Sequence, residues 1–155
     1  GITYALRLGA SHIVTFDADG QHDPKQIPSL INGLSDGADA ALGTRFKGST
    51  IDMPMSRRIL LQAACWVNFA LTGLHLSDAH NGMRAFTRAA AERLRLRQAG
   101  MAHATEIVAQ VARLKLKFVE VPVTIRYTTY SLAKGQKLSN SVHILVDLLL
   151  KGLTR

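Results

Sequence analysis

The chain has 155 residues, 47% of them hydrophobic, which suffices for one sizeable core and excludes an intrinsically disordered protein. An excess of 19 Lys and Arg over 11 Asp and Glu gives a formal charge of +8 and points to anionic partners, either phosphates or an acidic membrane surface. One Trp, three Tyr and five Phe, without zinc-finger spacing or an RNP-like motif, argue against nucleic acid, and the single Cys65 excludes an internal disulfide.

The opening "GITYALRLGAS" has no n-region, h-region or cleavage site of a signal peptide. Ile2 to Leu8 carry apolar groups at helical spacing and stop at Gly9, reading as the second half of a helix, so a piece of a longer domain is expected. His12 to Phe16 predict a short buried strand. Asp23-Pro24 predict an N-cap and N1 pair, with Gln26 at the capping-box position. Ile27, Leu30, Ile31 and Leu34 then form one helical face, and Ala38 to Leu42 a second strand. A strand–helix–strand unit implies an α/β fold with a mostly parallel sheet.

Gly43 to Ser56 reads as a basic loop, followed by an apolar helix from Arg57 to Thr72 that is too short and interrupted to span a bilayer. A short segment, Met83 to Phe86, precedes helices at about Arg88 to Arg97 and His103 to Leu114. Lys117 to Val123 alternates as a strand that Pro122 should stop, and the amphipathic run from Asn140 to Leu153 predicts a last helix. No internal repeat or interdomain linker interrupts this order.

Asp17-Ala18-Asp19 sits where the first strand ends. Residues i and i+2 of an extended segment share a side, so both carboxylates can face one cleft at the carboxyl edge of the sheet. Their mutual repulsion is relieved by a cation or a proton, and hard oxygen ligands suit magnesium or manganese. The alternative at this point is a solvated turn. Arg45 in "ALGTRF" is a forked cation of the kind that pairs with phosphate oxygens, or else a surface arginine. "SDAHNGMRAF" concentrates Asp78, His80, Asn81 and Arg84 in one turn, where Asp78 is a candidate base, sugar-orienting group or simple cap. Arg126, Lys134 and Lys137 lie in a Gly- and Ser-bearing stretch suited to a lid over phosphates, or to a solvated charge run.

In this order, "DADGQHDP", "GTRF", "SDAHNGMRAF", "EVPV" and "KGQK" resemble the family-2 glycosyltransferases, in particular the branch of dolichyl-phosphate mannose synthases and polyprenyl-phosphate sugar transferases. The resemblance implies a partial GT-A (Rossmann-like) fold over one N-terminally truncated domain, with 1–135 as the catalytic portion and 138–153 as a C-terminal helix. It implies metal-dependent, inverting transfer of a sugar from a nucleoside-diphosphate sugar to an acceptor, either polyprenyl phosphate or a hydroxyl for which Asp78 would be the base, in cell-envelope glycan synthesis. Asp17, Asp19 and Gln21 would hold Mg2+ or Mn2+. Asp17, Asp19, Arg126 and Lys134 would bind the nucleotide diphosphate. Arg45 and Arg57 would grip the acceptor phosphate, and Asp78 would lie beside the sugar.

Three departures accompany the resemblance. The family's N-terminal strand with its base-recognising acidic pair has no counterpart, Leu61 stands where dolichyl-phosphate relatives carry Ser, and "KGQK" replaces Gly-x-Ser-Lys. The alternative is a non-catalytic remnant or assembly partner of a glycosyltransferase complex, in a homo- or hetero-oligomer. The expected setting is cytoplasmic, and the +8 charge and the apolar face of the last helix suit either a peripheral place at an anionic inner membrane face or packing of that helix on the domain itself.

Overall fold

Short runs of small and β-branched residues form a four-stranded sheet, and the apolar-periodic segments pack as helices against its two faces. The computed structural model describes residues 1–97 and 102–128. Their order is α1 (Ile2–Arg7), β1 (His12–Thr15), a 3₁₀ turn (Pro24–Gln26), α2 (Ile27–Asn32), β2 (Ala40–Ile51), α3 (Met55–Thr72), β3 (Arg84–Thr87), α4 (Arg88–Arg93), α5 (Ala102–Arg113) and β4 (Phe118–Arg126). The expected helix at 138–153, with Lys134 and Lys137, lies outside the described residues.

The sheet order is β1-β3-β2-β4. Strands β1, β2 and β4 point the same way, as a mostly parallel α/β sheet requires. Strand β3 runs against β1 and β2 and is wedged between them, so among the described residues β2–β4 is the one parallel ladder and the sheet is mixed. Strict alternation gives it two apolar faces. Ile13, Ala40, Leu42 and Phe86 meet Ala90 of α4 and Ile107 of α5 on one side. Ala41, Ala85, Val121 and Ile125 meet Leu30 of α2 on the other.

Two expectations fail at the β2–β4 ladder. The segment read as a loop from Gly43 is strand through Ile51, and Pro122 does not stop β4, which continues to Arg126. The ladder passes from Thr44↔Pro122 to Ser49↔Thr124, leaving residues 45–48 bulged against Val123. An edge strand tolerates proline, and a bulge absorbs the lost ladder bond. Gly48 is required there, because a Cβ would run into the Val123 backbone. The bulge turns Arg45 inward.

Helix α3 is also less buried than its apolar composition implies: Ala64 and Asn68 are buried, whereas Met55, Ile59 and Trp66 are exposed, Trp66 to 69%. No described helix is long and apolar enough to cross a membrane. Helix α4 ends at Arg93, short of the expected Arg97, because Leu94 turns extended. The following stretch is stitched to α5: the Arg95 N–H donates to Gln110 Oε1 at 2.7 Å and Gln110 Nε2 donates to the Arg95 carbonyl at 2.7 Å.

Gln26 uses the same device on β4. Its Nε2 donates to the Thr124 carbonyl at 3.3 Å, and the Thr124 N–H donates to its Oε1 at 2.8 Å, so the expected capping box is not formed. Asp23 does cap the turn, accepting from the Lys25 N–H at 3.0 Å. Gln26→Ala leaves the Thr124 N–H and C=O without these partners. It should cost about 1–2 kcal/mol, read as a shifted urea midpoint at unchanged slope.

Candidate active site

Three segments converge at the carboxyl ends of β1 and β2: the loop after β1, the bulge of β2, and the turn before β3. The Thr15 hydroxyl at the end of β1 donates to the Gly82 carbonyl at 2.8 Å, which brings the first and last together. Asp17 then lies over Gly82 so closely that any Cβ there would collide with its carboxylate. Asp19 Oδ1 accepts from the Gln21 N–H at 3.0 Å, closing a local turn. The Gln21 carbonyl accepts from the Arg126 N–H at 3.0 Å, and His22 bridges Ile125, so the carboxylate loop is tied to the end of β4.

His22 is the buried centre of this loop. The Asp17 N–H donates to its Nδ1 at 3.3 Å, which requires the neutral tautomer protonated on Nε2. Burial pulls its pKa below the ordinary value against the opposing pull of Asp17, Asp19 and Asp78, while Arg45 adds to the lowering. One imidazole therefore senses Asp17, Asp19, Arg45 and Asp78 together.

Asp78 is the best-satisfied carboxylate, its side chain only 1% exposed. Oδ2 accepts from Arg45 Nε at 2.6 Å, from the Arg45 N–H at 3.1 Å and from Asn81 Nδ2 at 3.2 Å; Oδ1 accepts from the His80 N–H at 3.3 Å. Arg45 Nη1 donates to the Tyr127 hydroxyl at 2.6 Å and Nη2 to the His80 carbonyl at 3.3 Å. Burial works against the Arg45 charge, but Asp78 and Tyr127 outweigh it and leave its pKa raised.

Arg84 lies behind both carboxylates, fully buried. It donates to the carbonyls of Asn81 (2.9 Å), Ala104 (3.0 Å) and Ala79 (3.1 Å), fastening the turn to α5. Burial without a directly bonded carboxylate lowers its pKa to about 10, with Asp78 and Asp17 resisting. Ser77 and Cys65 hold the other side: Ser77 donates through N–H and hydroxyl to Glu120 Oε1, both at 2.7 Å, and Glu120 Oε2 pairs with Lys47 at 2.6 Å. The Cys65 thiol donates to the Ser77 carbonyl and accepts from the Ala79 N–H, both at 3.4 Å, and burial raises its pKa.

The structure thus gathers Asp17, Asp19, Gln21, Arg45, Asp78 and Arg126 around the strand ends. Arg57, in the first turn of α3, joins through Tyr127, its guanidinium carbon 5.9 Å from the ring centroid. Lys134 falls outside the described residues. Sequence reasoning gave no role to His22, Asn81, Arg84 and Tyr127. Each acts through a partner distant in sequence or through the main chain, a kind of contact that residue spacing does not encode. Among the described residues no group of three His, Cys, Asp or Glu side chains could hold a metal ion by itself. Asp17 and Asp19 are nevertheless hard oxygen donors at the surface, the set that holds a magnesium- or manganese-class ion jointly with a substrate's phosphates.

In an open α/β sheet ligands bind in the crevice at the carboxyl ends of the strands, and the paired carboxylates and inward cations lie there. The family model for glycosyl transferase family 2 matches residues 5–95, and the chain belongs to that family. It is 32% identical over 97% of its length to a UDP-N-acetylglucosamine–dolichyl-phosphate N-acetylglucosaminyltransferase of Methanococcus voltae, covering 62% of that protein. It is 31% identical over 80% of its length to a polyprenol monophosphomannose synthase of Mycolicibacterium smegmatis, covering 49% of it. A dolichol-phosphate mannosyltransferase of Pyrococcus furiosus is 33% identical over 79% of the chain, with 36% of that protein covered. The chain spans less than two thirds of the length of these relatives.

Two tests follow from the geometry. Gly82→Ala should cost about 1–3 kcal/mol by overpacking, and Asp17→Ala should relieve it. The double variant measured by urea unfolding should therefore fall short of the sum by more than about 0.5 kcal/mol. His80 has its Nδ1 buried without a hydrogen-bond partner, and burial, then Arg84, push its pKa down to about 4. Between its ordinary value and that figure the unfolded chain binds the proton and the folded one does not, so stability falls as pH falls. Melting temperatures should drop between about pH 7 and pH 5, above the carboxylate range, and His80→Phe should flatten part of that slope.

Proposed function

We propose that this chain carries the strand-end portion of an inverting glycosyltransferase that moves a sugar from a nucleoside-diphosphate sugar to a polyprenyl phosphate. The observation that carries the choice of acceptor is the state of Asp78. Transfer to a neutral hydroxyl needs a base to take its proton, and Asp78 is the carboxylate available for that role. Yet its oxygens already accept four hydrogen bonds, three from Arg45 and Asn81 and one from His80, inside a nearly closed pocket. A phosphate monoester is already an anion near neutral pH and needs no base. The names of the Methanococcus and Pyrococcus relatives, which specify dolichyl phosphate and dolichol phosphate, support the same acceptor.

In this mechanism a phosphate oxygen of the acceptor attacks the anomeric carbon while the bond from that carbon to the diphosphate breaks, its electron pair leaving on the nucleoside diphosphate. Asp17 and Asp19, with Gln21 beside them, would hold a divalent ion. When bound it offsets the charge that develops on the leaving diphosphate. Arg126, fastened by its main chain to Gln21, would line the same side, and Lys134 is the further cation that the family resemblance assigns to the diphosphate. Arg57 offers its charge at the acceptor side, with Arg45 behind it. Helix α3 begins without an acidic residue or a side-chain cap, so its positive end adds to that field. Asp78 keeps Arg45 in place and borders the sugar. Action at a membrane surface, where a polyprenyl phosphate resides, follows from this acceptor.

The test is transfer of labelled sugar from UDP- and GDP-sugars by the full-length protein, with magnesium or manganese, to undecaprenyl or dolichyl phosphate and to the matching alcohols. Product is expected with the phosphates only, and Asp19→Ala should lower kcat roughly a hundredfold or more. Equal use of the alcohols would overturn the anionic acceptor, and unchanged turnover by the Asp19 variant would overturn the ion site.

A further inference from the structure

Tyr127 stands at the exit of β4 and is 3% exposed, although a buried phenol has to find a partner for its hydroxyl. That partner is Arg45, whose Nη1 donates to the phenolic oxygen at 2.6 Å. The face of the same ring carries Arg57, at 5.9 Å from guanidinium carbon to centroid, within cation–π range. The Tyr127 N–H donates to the Ile51 carbonyl at 2.9 Å, so the residue is fixed between the ends of β2 and β4.

Three elements therefore meet on one side chain: the β2 bulge through Arg45, the first turn of α3 through Arg57, and the end of β4 through Tyr127 itself. Two guanidinium groups repel, and among the described residues no carboxylate forms an ion pair with Arg57. A long, half-buried arginine without an anchor still loses side-chain entropy when it binds a ligand. An aromatic face that already holds it lowers that cost. The hydroxyl edge holds the second cation at the same time.

We propose that Tyr127 is a positioning residue for the acceptor phosphate: its ring holds Arg57 and its hydroxyl holds Arg45, so that Arg57 is presented to the phosphate with the Arg45 charge fixed behind it. This role rests on the polyprenyl-phosphate reading of the site. It makes separate use of the two halves of one side chain, and two substitutions separate them. Tyr127→Phe removes only the bond to Arg45. Tyr127→Leu removes that bond and the surface under Arg57.

The experiment measures KM for undecaprenyl phosphate and for the sugar donor separately, with the melting temperature, in the wild-type protein and both variants. Tyr127→Phe should raise the acceptor KM about tenfold, the size expected for one hydrogen bond from a charged donor, and leave the donor KM unchanged. Tyr127→Leu should raise the acceptor KM further. A Phe variant with the wild-type acceptor KM, or equal losses for both substrates alongside a lowered melting temperature, would overturn the positioning role and leave the acceptor assignment standing. A wild-type protein whose rate does not saturate with undecaprenyl phosphate would overturn the acceptor assignment and the role of Tyr127 with it. If the Leu variant does not fold, the Phe variant decides alone.

Discussion

The Arg45–Asp78 pair is the contact on which the candidate site depends. Desolvating two charges costs several kcal/mol for each, and attraction across a short gap offsets that only when their remaining donors and acceptors are also satisfied. Here they are: Asn81, the His80 main chain and the Tyr127 hydroxyl complete the set. A pair of this kind is weak support for net stability, but it is demanding about conformation, because loss of either partner strands the other charge. It therefore specifies how the β2 bulge, the turn before β3 and the end of β4 meet. The bulge sets residues 45–48 against Val123, and Gly48 allows it because it carries no Cβ.

Around this pair the site is built largely from main-chain hydrogen bonds. Thr15 reaches Gly82, Gln21 receives Arg126, His22 receives Asp17, and Cys65 bridges Ser77 and Ala79. Such contacts pin loops without using up the carboxylates of Asp17 and Asp19, which remain toward solvent. The charge layout follows. Two acidic groups lie at the surface, Arg84 and Arg45 lie behind them, and Arg57 stands at the α3 side. The proposed transfer would use this separation, because in it the donor diphosphate and the acceptor approach one carbon from opposite directions.

Two glutamines show how the fold ties down main-chain edges that no strand covers among the described residues. Gln26 and Gln110 each present a side-chain amide that imitates a neighbouring strand, one to Thr124 and the other to Arg95. Both lie in helical or turn segments whose sequence fits ordinary helical roles, and the capping-box assignment for Gln26 fails for that reason. The amide found a better geometry across the sheet than along its own turn.

Much of the architecture was legible in the sequence. Apolar periodicity located β1, α2, α3, α5 and the start of β4, since burial on one face imposes its period locally. The order of the short motifs identified the family, and Asp23-Pro24 identified the turn that follows the carboxylates. Strand order, the wedged β3 and the passage of β2 through residues 43–51 were not legible, because ladders join residues far apart in the chain. The chemistry divides in the same way. Residue type and spacing nominated Asp17, Asp19, Arg45, Asp78 and Arg126, and the family resemblance added Arg57. Only the tertiary structure decided that Asp78 is enclosed by Arg45 rather than left open as a base, and that Tyr127 joins the two arginines, for burial and hydrogen-bond geometry arise only when distant segments meet.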